Sequence, residues 1–206
     1  MRSNVAPFDS LNLKNLIMKT IETTVYNFSE LSDSAKATAI EQIRQREYET
    51  GFNWGSEALD TLKAFLEHFN VKLGRYSIDW FNANGSDIRI SFNDSNIEEL
   101  SGVRLWKYLH NNGLLTYWRK YTKKTEKLLS GDCPFTGVCF DENCLDNIRE
   151  FVKKPTNITF RELIEESIEK LLKDCEKDAD YQFSDEGITE MIEANEYDFT
   201  EDGEIY

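Results

Sequence analysis

The chain has 206 residues, 40% of them hydrophobic, 13% aromatic and 30% charged, which is enough to bury a core without disulfides or metal and excludes a short peptide or a wholly disordered chain. With 38 Asp and Glu against 24 Lys and Arg the net charge is −14, which repels nucleic acid and anionic membranes at long range and counts against a general nucleic-acid coat protein. No apolar stretch approaches the roughly 18 to 20 residues that cross a bilayer, and the N-terminus lacks the continuous apolar run of an export signal, so a cytoplasmic protein is expected.

Residues 1–17 show no clear period and read as an extended start or loose arm. From Met18 onward the pattern is that of a folded domain. Residues 19–28, with Ile21, Thr23 and Val25 alternating, predict a strand. Ser32 or Asp33 then caps a helix whose inner positions are Ala35, Ala39, Ile40 and Ile43, and Gly51 ends it. A second helix starts at Ser56, with Leu59, Leu62, Phe65, Leu66 and Phe69 as its buried stripe. Between 75 and 92 the period changes to two, with Tyr76, Ile78 and Trp80 facing Ile88, Ile90 and Phe92 across Asn84-Gly85, the signature of a hairpin. Residues 97–110 and 114–129 predict two further helices separated by Asn111, Asn112 and Gly113.

Residues 131–144, with one Pro and two Gly, form the expected irregular connection before a short helix at 145–152. Thr159-Phe160-Arg161-Glu162 fits the capping box, in which a threonine oxygen and a glutamate carboxylate satisfy free amides at a helix start. The helix it opens carries Leu163, Ile164, Ile168, Leu171, Leu172 and Cys175 inward. Ser184 begins another short helix, with Ile188, Met191 and Ile192 inward, and the last ten residues alternate aromatic and acidic side chains around Asp202-Gly203, as a terminal hairpin would. The expected fold class is α+β: a small antiparallel sheet of hairpins packed with several amphipathic helices. It forms one domain over 18–206, or two lobes meeting near 131–144.

The net charge hides a division. Residues 1–130 hold 17 basic and 16 acidic side chains, whereas residues 131–206 hold 7 and 22. Lys177 is the last basic residue, and the 29 positions after it carry 11 carboxylates. One reading is a solvated face that keeps the protein soluble. The other is an ordered acidic surface that occupies a basic groove on a partner, since opposite fields steer association. On the second reading the contact residues are Glu186, Glu190, Glu193, Glu196, Asp198, Glu201, Asp202 and Glu204, with Tyr197 and Phe199 as aromatic anchors.

The opposite extreme is the stretch around 114–129. There Tyr117 and Trp118 could stack bases while Arg119, Lys120, Lys123 and Lys124 hold phosphates. Aromatics four apart, such as Tyr117 and Tyr121, also suit plain helix packing, with the cations paired to the protein's own acidic half.

Signs of catalysis are weak. Cys133, Cys139 and Cys144 are separated by five and four residues rather than set in the tight pairs of structural zinc, and with Cys175 they read as reduced thiols. No metal or other cofactor is expected. His68 and His110 each end a helical pattern, a capping position rather than a catalytic one. Nucleophile-elbow, phosphate-loop and metalloprotease patterns do not occur. Asp79 and Asp87 flank the hairpin and could pair for acid/base work, though nothing in the spacing makes them meet. The Asp178 register fails as a calcium loop because Phe183 stands where the turn needs glycine. No catalytic residue is assigned.

Two motifs carry a family resemblance. Phe28, Glu30, Leu31, Ser32, Asp33, Ala35, Lys36 and Ala39 match F-x-E-L-S-D-x-A-K-x-x-A, and Asn195, Glu196, Tyr197, Phe199, Asp202 and Gly203 match N-E-Y-x-F-x-x-D-G. In these the chain resembles a family of small accessory proteins encoded by bacteriophages and prophages. The resemblance implies a phage setting, where small acidic proteins counter host nucleases or CRISPR effectors by binding them. It implies a non-enzymatic inhibitor of anti-CRISPR or anti-restriction type in the bacterial host cytoplasm, whose partner is a host protein with a basic surface. The alternative is an antitoxin-like or DNA-binding regulator that uses the basic segment 114–129, and a metal-dependent hydrolase built on clustered carboxylates ranks last.

Overall fold

The computed structural model describes residues 23–119, 124–128 and 133–206. The N-terminal arm and the first half of the expected opening strand lie outside them. The first described elements are β1 (Tyr26–Asn27) and a single 3-10 turn at Phe28–Glu30. Ser32 accepts a hydrogen bond from the Ala35 N–H at 3.2 Å and so starts α1 (Asp33–Thr50). Ala35, Ala39 and Ile43 fall four residues apart on its buried face, and Gly51, at φ +82°, ends it as expected. In α2 (Gly55–His68) Leu62, Phe65 and Leu66 are buried, and Phe69 continues the stripe.

The hairpin is real but shifted. β2 (Val71–Ser77) pairs antiparallel with β3 (Asp87–Phe92) in the register Val71↔Phe92, Leu73↔Ile90 and Tyr76↔Ile88, with an irregularity between Leu73 and Tyr76. Ile78 and Trp80 belong to the connecting loop instead of the strand, and Asn84-Gly85 sits in a 3-10 turn without positive φ at Gly85. Local side-chain bonds explain the longer loop. Asp79 accepts from the Phe81 N–H at 3.0 Å, and Ser86 Oγ accepts from the Asp79 N–H at 3.0 Å.

Two of the expected helices are corrected. The helix expected over 97–110 is split into α3 (Ser95–Glu98) and α4 (Gly102–Asn111), with Gly102 at φ +54° opening α4. The backbone there is used otherwise: Ser101 bridges Thr159, and the Phe160 N–H donates to the Leu100 carbonyl at 2.8 Å. The helix expected over 114–129 is a second hairpin, β4 (Thr116–Arg119) against β5 (Lys124–Lys127), with Thr116 opposite Lys127 and Arg119 opposite Lys124. Gly113, at φ +71°, turns the chain out of α4. The β-branched and aromatic run Thr116-Tyr117-Trp118 then adopts its strand preference, which outweighs the spacing of four between Tyr117 and Tyr121.

The C-terminal half is mainly helical. α5 (Phe140–Lys153) begins before the expected 145. α6 (Phe160–Gln182) has the complete capping box, with Glu162 N–H to Thr159 Oγ1 at 3.2 Å and Thr159 N–H to Glu162 Oε2 at 2.8 Å. It runs past Cys175 because Ala179 extends its buried stripe. α7 (Asp185–Asn195) and β6 (Asp198–Phe199) close the chain, and β6 pairs antiparallel with β1, Tyr26 opposite Phe199. The terminal turn is present: Phe199 bridges Ile205, and Gly203 takes φ +85°.

The architecture is therefore α+β, with two-stranded antiparallel sheets and a predominance of helix. Among the described residues, buried side chains segregate into two clusters. The larger joins α2, α4, α5 and α6 with the β2–β3 hairpin, and Phe135, Phe140 and Cys144 from the 133–144 stretch belong to it. The smaller joins the two ends of the described chain, with Leu31, Ala35, Ala39 and Ile43 meeting Ile188, Ile192 and Phe199. Tyr48, Phe81 and Phe183 form an aromatic triangle with centroids 5.2 to 5.3 Å apart and tie α1 to the β2–β3 loop and to the end of α6. Among the described residues no helix is long and apolar enough to cross a membrane.

Candidate functional site

The acidic C-terminal segment is folded, started by a local cap and held by packing on α1. Ser184 Oγ accepts from the Gly187 N–H at 3.1 Å and caps α7. Gly187 is required because a Cβ there would lie 2.2 Å from the Tyr181 carbonyl oxygen. Ile188 and Ile192 are buried against α1, so Glu186, Glu190 and Glu193, spaced four and three apart, share the exposed face. The Glu190 carboxylate near the Tyr181 hydroxyl raises the phenol above its ordinary pKa. Glu201, Asp202 and Glu204 are exposed on the terminal turn.

Two arginines of α1 hold this segment down. Arg44 Nε donates to the Phe183 carbonyl at 2.9 Å, capping the end of α6, and its guanidinium pairs with Asp185 and Glu41. Arg46 lies over the Tyr197 ring, 4.9 Å from its centroid, and donates to the Tyr197 hydroxyl at 2.6 Å. The two expected aromatic anchors are placed differently. Phe199 is fully buried in the smaller core, and Tyr197 is half-buried and engaged by Arg46. The exposed terminal aromatic is Tyr206, at 72%.

Between the 3-10 turn and the end of α7 lies an open groove of about 660 Å³. Glu193, Glu196 and Asp198 line it together with Tyr197, Phe28 and Asn27, and among the described residues no lysine or arginine does. Glu196 sits at φ +52°, the left-handed conformation in which a helix normally ends on glycine or asparagine. A non-glycine residue held there costs on the order of 1 kcal/mol, the kind of local strain that clusters at functional sites. Chemically, the groove offers three carboxylates to an ammonium or guanidinium group. Of the ten contact residues expected from the sequence, four line it. Glu186, Glu190, Glu201, Asp202 and Glu204 are exposed but do not line it, and Phe199 is withdrawn into the core.

The basic candidates fall on the second hairpin. Arg119 and Lys124 stand opposite each other across β4 and β5, with Tyr117 and Trp118 on the same strand as Arg119, while Lys120 and Lys123 lie outside the described residues. Cys144 and Cys175 are buried thiols. Desolvation pushes both upward, Cys175 to about 12, so neither is a ready thiolate. Asp79 organises its own loop and Asp87 faces Arg89 at 3.6 Å. His110 is exposed and stacks on Trp106, with centroids 5.1 Å apart. Among the described residues no three acidic, histidine or cysteine groups come together as metal ligands.

One buried carboxylate escaped the sequence reading. Asp141, in the first turn of α5, is fully buried. Its Oδ2 accepts from the N–H groups of Phe135, Thr136 and Gly137 at 2.8, 2.8 and 3.1 Å, and its Oδ1 accepts from the hydroxyls of Thr61 and Thr136 at 3.0 and 2.8 Å. These bonds wind the 133–139 loop around the start of α5 and draw the helix forward to Phe140. An acidic residue in a first helical turn is too common a signal to have revealed this. Comparison with protein-family models, with curated proteins and with solved structures returned no match.

Proposed function

We propose that the protein is a non-enzymatic binding protein that takes a basic surface of a partner into the acidic groove formed by Glu193, Glu196 and Asp198. The observation that carries this reading is the groove itself, lined by three carboxylates and, among the described residues, by no cation. The folded setting of the groove supports it, since carboxylates held on a packed scaffold match a partner's charges with less ordering cost than a loose tail. In the phage setting that the resemblance implies, the partner is a host nucleic-acid-binding defence protein. Inhibition follows from filling the site that would hold nucleic acid, and Glu186, Glu190, Glu201, Asp202 and Glu204 extend the contact around the groove.

The test is capture from bacterial lysate by the wild-type chain and by the triple variant Glu193→Gln, Glu196→Gln, Asp198→Asn. The expected result is a protein retained by the wild type, lost with the variant, and displaced by added duplex DNA or raised salt. Equal retention by both chains rejects the groove as the contact.

A second reading has one observation in its favour. The β4–β5 hairpin sets Arg119 opposite Lys124 on a two-stranded ribbon, a form that can enter a nucleic-acid groove. It calls for DNA affinity that falls steeply with salt, and a chain that shifts no duplex or single strand dismisses it.

A further inference from the structure

A second cleft, also of about 660 Å³, shares no residue with the acidic groove and lies between the start of α2, the 133–139 loop and the C-terminal half of α6. Its volume is in the usual range for small-molecule sites, roughly 300 to 1,000 Å³. Trp54, Val138 and Phe140 form apolar walls. Trp54 is 49% exposed, and Phe140 is fixed edge-on against Phe52 with centroids 6.5 Å apart.

The rest of the lining is Cys133, Cys139, Asn143 and Gly137 with three carboxylates, Glu57, Asp174 and Asp178, and among the described residues no lysine or arginine. Asp174 is already balanced by Lys170 at 2.5 Å and Lys177 at 3.0 Å. Glu57 and Asp178 have no cationic partner among the described residues. Glu57 accepts from Ser56 at 2.7 Å and Asp178 from Gln182 at 3.1 Å. Burial lifts the Asp178 carboxyl above its ordinary range, the mark of a carboxylate short of compensating charge. One wall is preorganised, since the loop at 135–137 is tied down by the bonds to Asp141.

We propose that this cleft binds a small organic cation with an apolar body, an arylalkylamine, whose ammonium meets Glu57 and Asp178 while its body lies against Trp54, Val138 and Phe140. The carboxylates favour a cation over a neutral or anionic ligand, and the indole face of Trp54 adds to that preference. The three apolar walls distinguish an organic cation from a bare metal ion, for which the described residues bring no three ligands together.

The experiment is calorimetric titration of the full chain with 4-phenylbutylamine, 4-phenylbutan-1-ol and 4-phenylbutyrate. The amine is expected to bind saturably at one site, with the alcohol and the acid at least about tenfold weaker, the scale of one charge-assisted contact. The double variant Glu57→Gln, Asp178→Asn, checked for native circular dichroism, is expected to lose the preference for amine over alcohol. Trp54→Ala, at an exposed position, is expected to weaken the amine several-fold and covers the case in which the double variant fails to fold. No saturation by the amine up to about 10 mM, equal affinity for amine and alcohol, or unchanged amine affinity in a folded double variant or in Trp54→Ala overturns the proposal.

Discussion

At His68 the imidazole Nε2 meets the Leu114 carbonyl at 2.9 Å, so Nε2 carries the proton, and the ring stands edge-on to Phe69 with centroids 5.0 Å apart. Burial among these groups holds its pKa below the ordinary imidazole value of 6.5, and the carbonyl only partly offsets this. The unfolded chain therefore binds this proton more readily than the folded one. Stability from this site is present above about pH 6.5 and is lost as pH falls through and below that value, with a slope of at most about 1.4 kcal/mol per pH unit. Urea midpoints at pH 7.5 and 5.5 are expected to fall more for the wild type than for His68→Gln, and equal shifts would refute the assignment. Glu142, lowered chiefly by its bond to Arg149, acts in a separate window and loses its contribution below about pH 4.5.

The terminal turn depends at the element scale on a single glycine. Gly203 combines φ +85° with a position where a Cβ would lie 2.1 Å from the Ala35 carbonyl oxygen, so the turn rests directly on the backbone of α1. Gly203→Ala is expected to destabilise by more than about 1 kcal/mol, because neither the dihedral nor a backbone atom can give way cheaply. Limited proteolysis should then cut near residue 200, and an unchanged urea midpoint would contradict the packing. Elements with strong local signals were legible without coordinates: Ser32, Thr159-Glu162 and Ser184 each start a helix where a cap was expected. The β4–β5 hairpin was not, because four-residue aromatic spacing and strand propensity compete over so short a run.

For the whole molecule, the smaller hydrophobic cluster makes the acidic groove a product of both ends of the described residues. Ile43 on α1 and Ile192 on α7 lie in the same small core, 0% and 1% exposed. Ile43→Ala is expected to cost about 2 to 5 kcal/mol and to strip hydrogen-exchange protection from residues 185–206. Retained protection there would mean that the acidic segment folds independently of α1. The groove was half legible in the sequence. Its carboxylates stood out as an uncompensated run after Lys177, but the burial of Phe199, the use of Tyr197 by Arg46 and the capping of α6 by Arg44 join residues about 140 or more positions apart.

By itself the sequence determined the fold class, the capped helices, the buried faces of α1, α2, α6 and α7, and the concentration of negative charge at the C-terminus. Each of these stems from interactions among residues within a few positions of one another or from composition. Only the tertiary structure decided which aromatic side chains remain outside the core, which carboxylates converge on one groove, and that Asp141 gathers the 133–139 loop. Those outcomes depend on long-range packing, where the cost of burying a charge or crowding a backbone atom is set by distant partners.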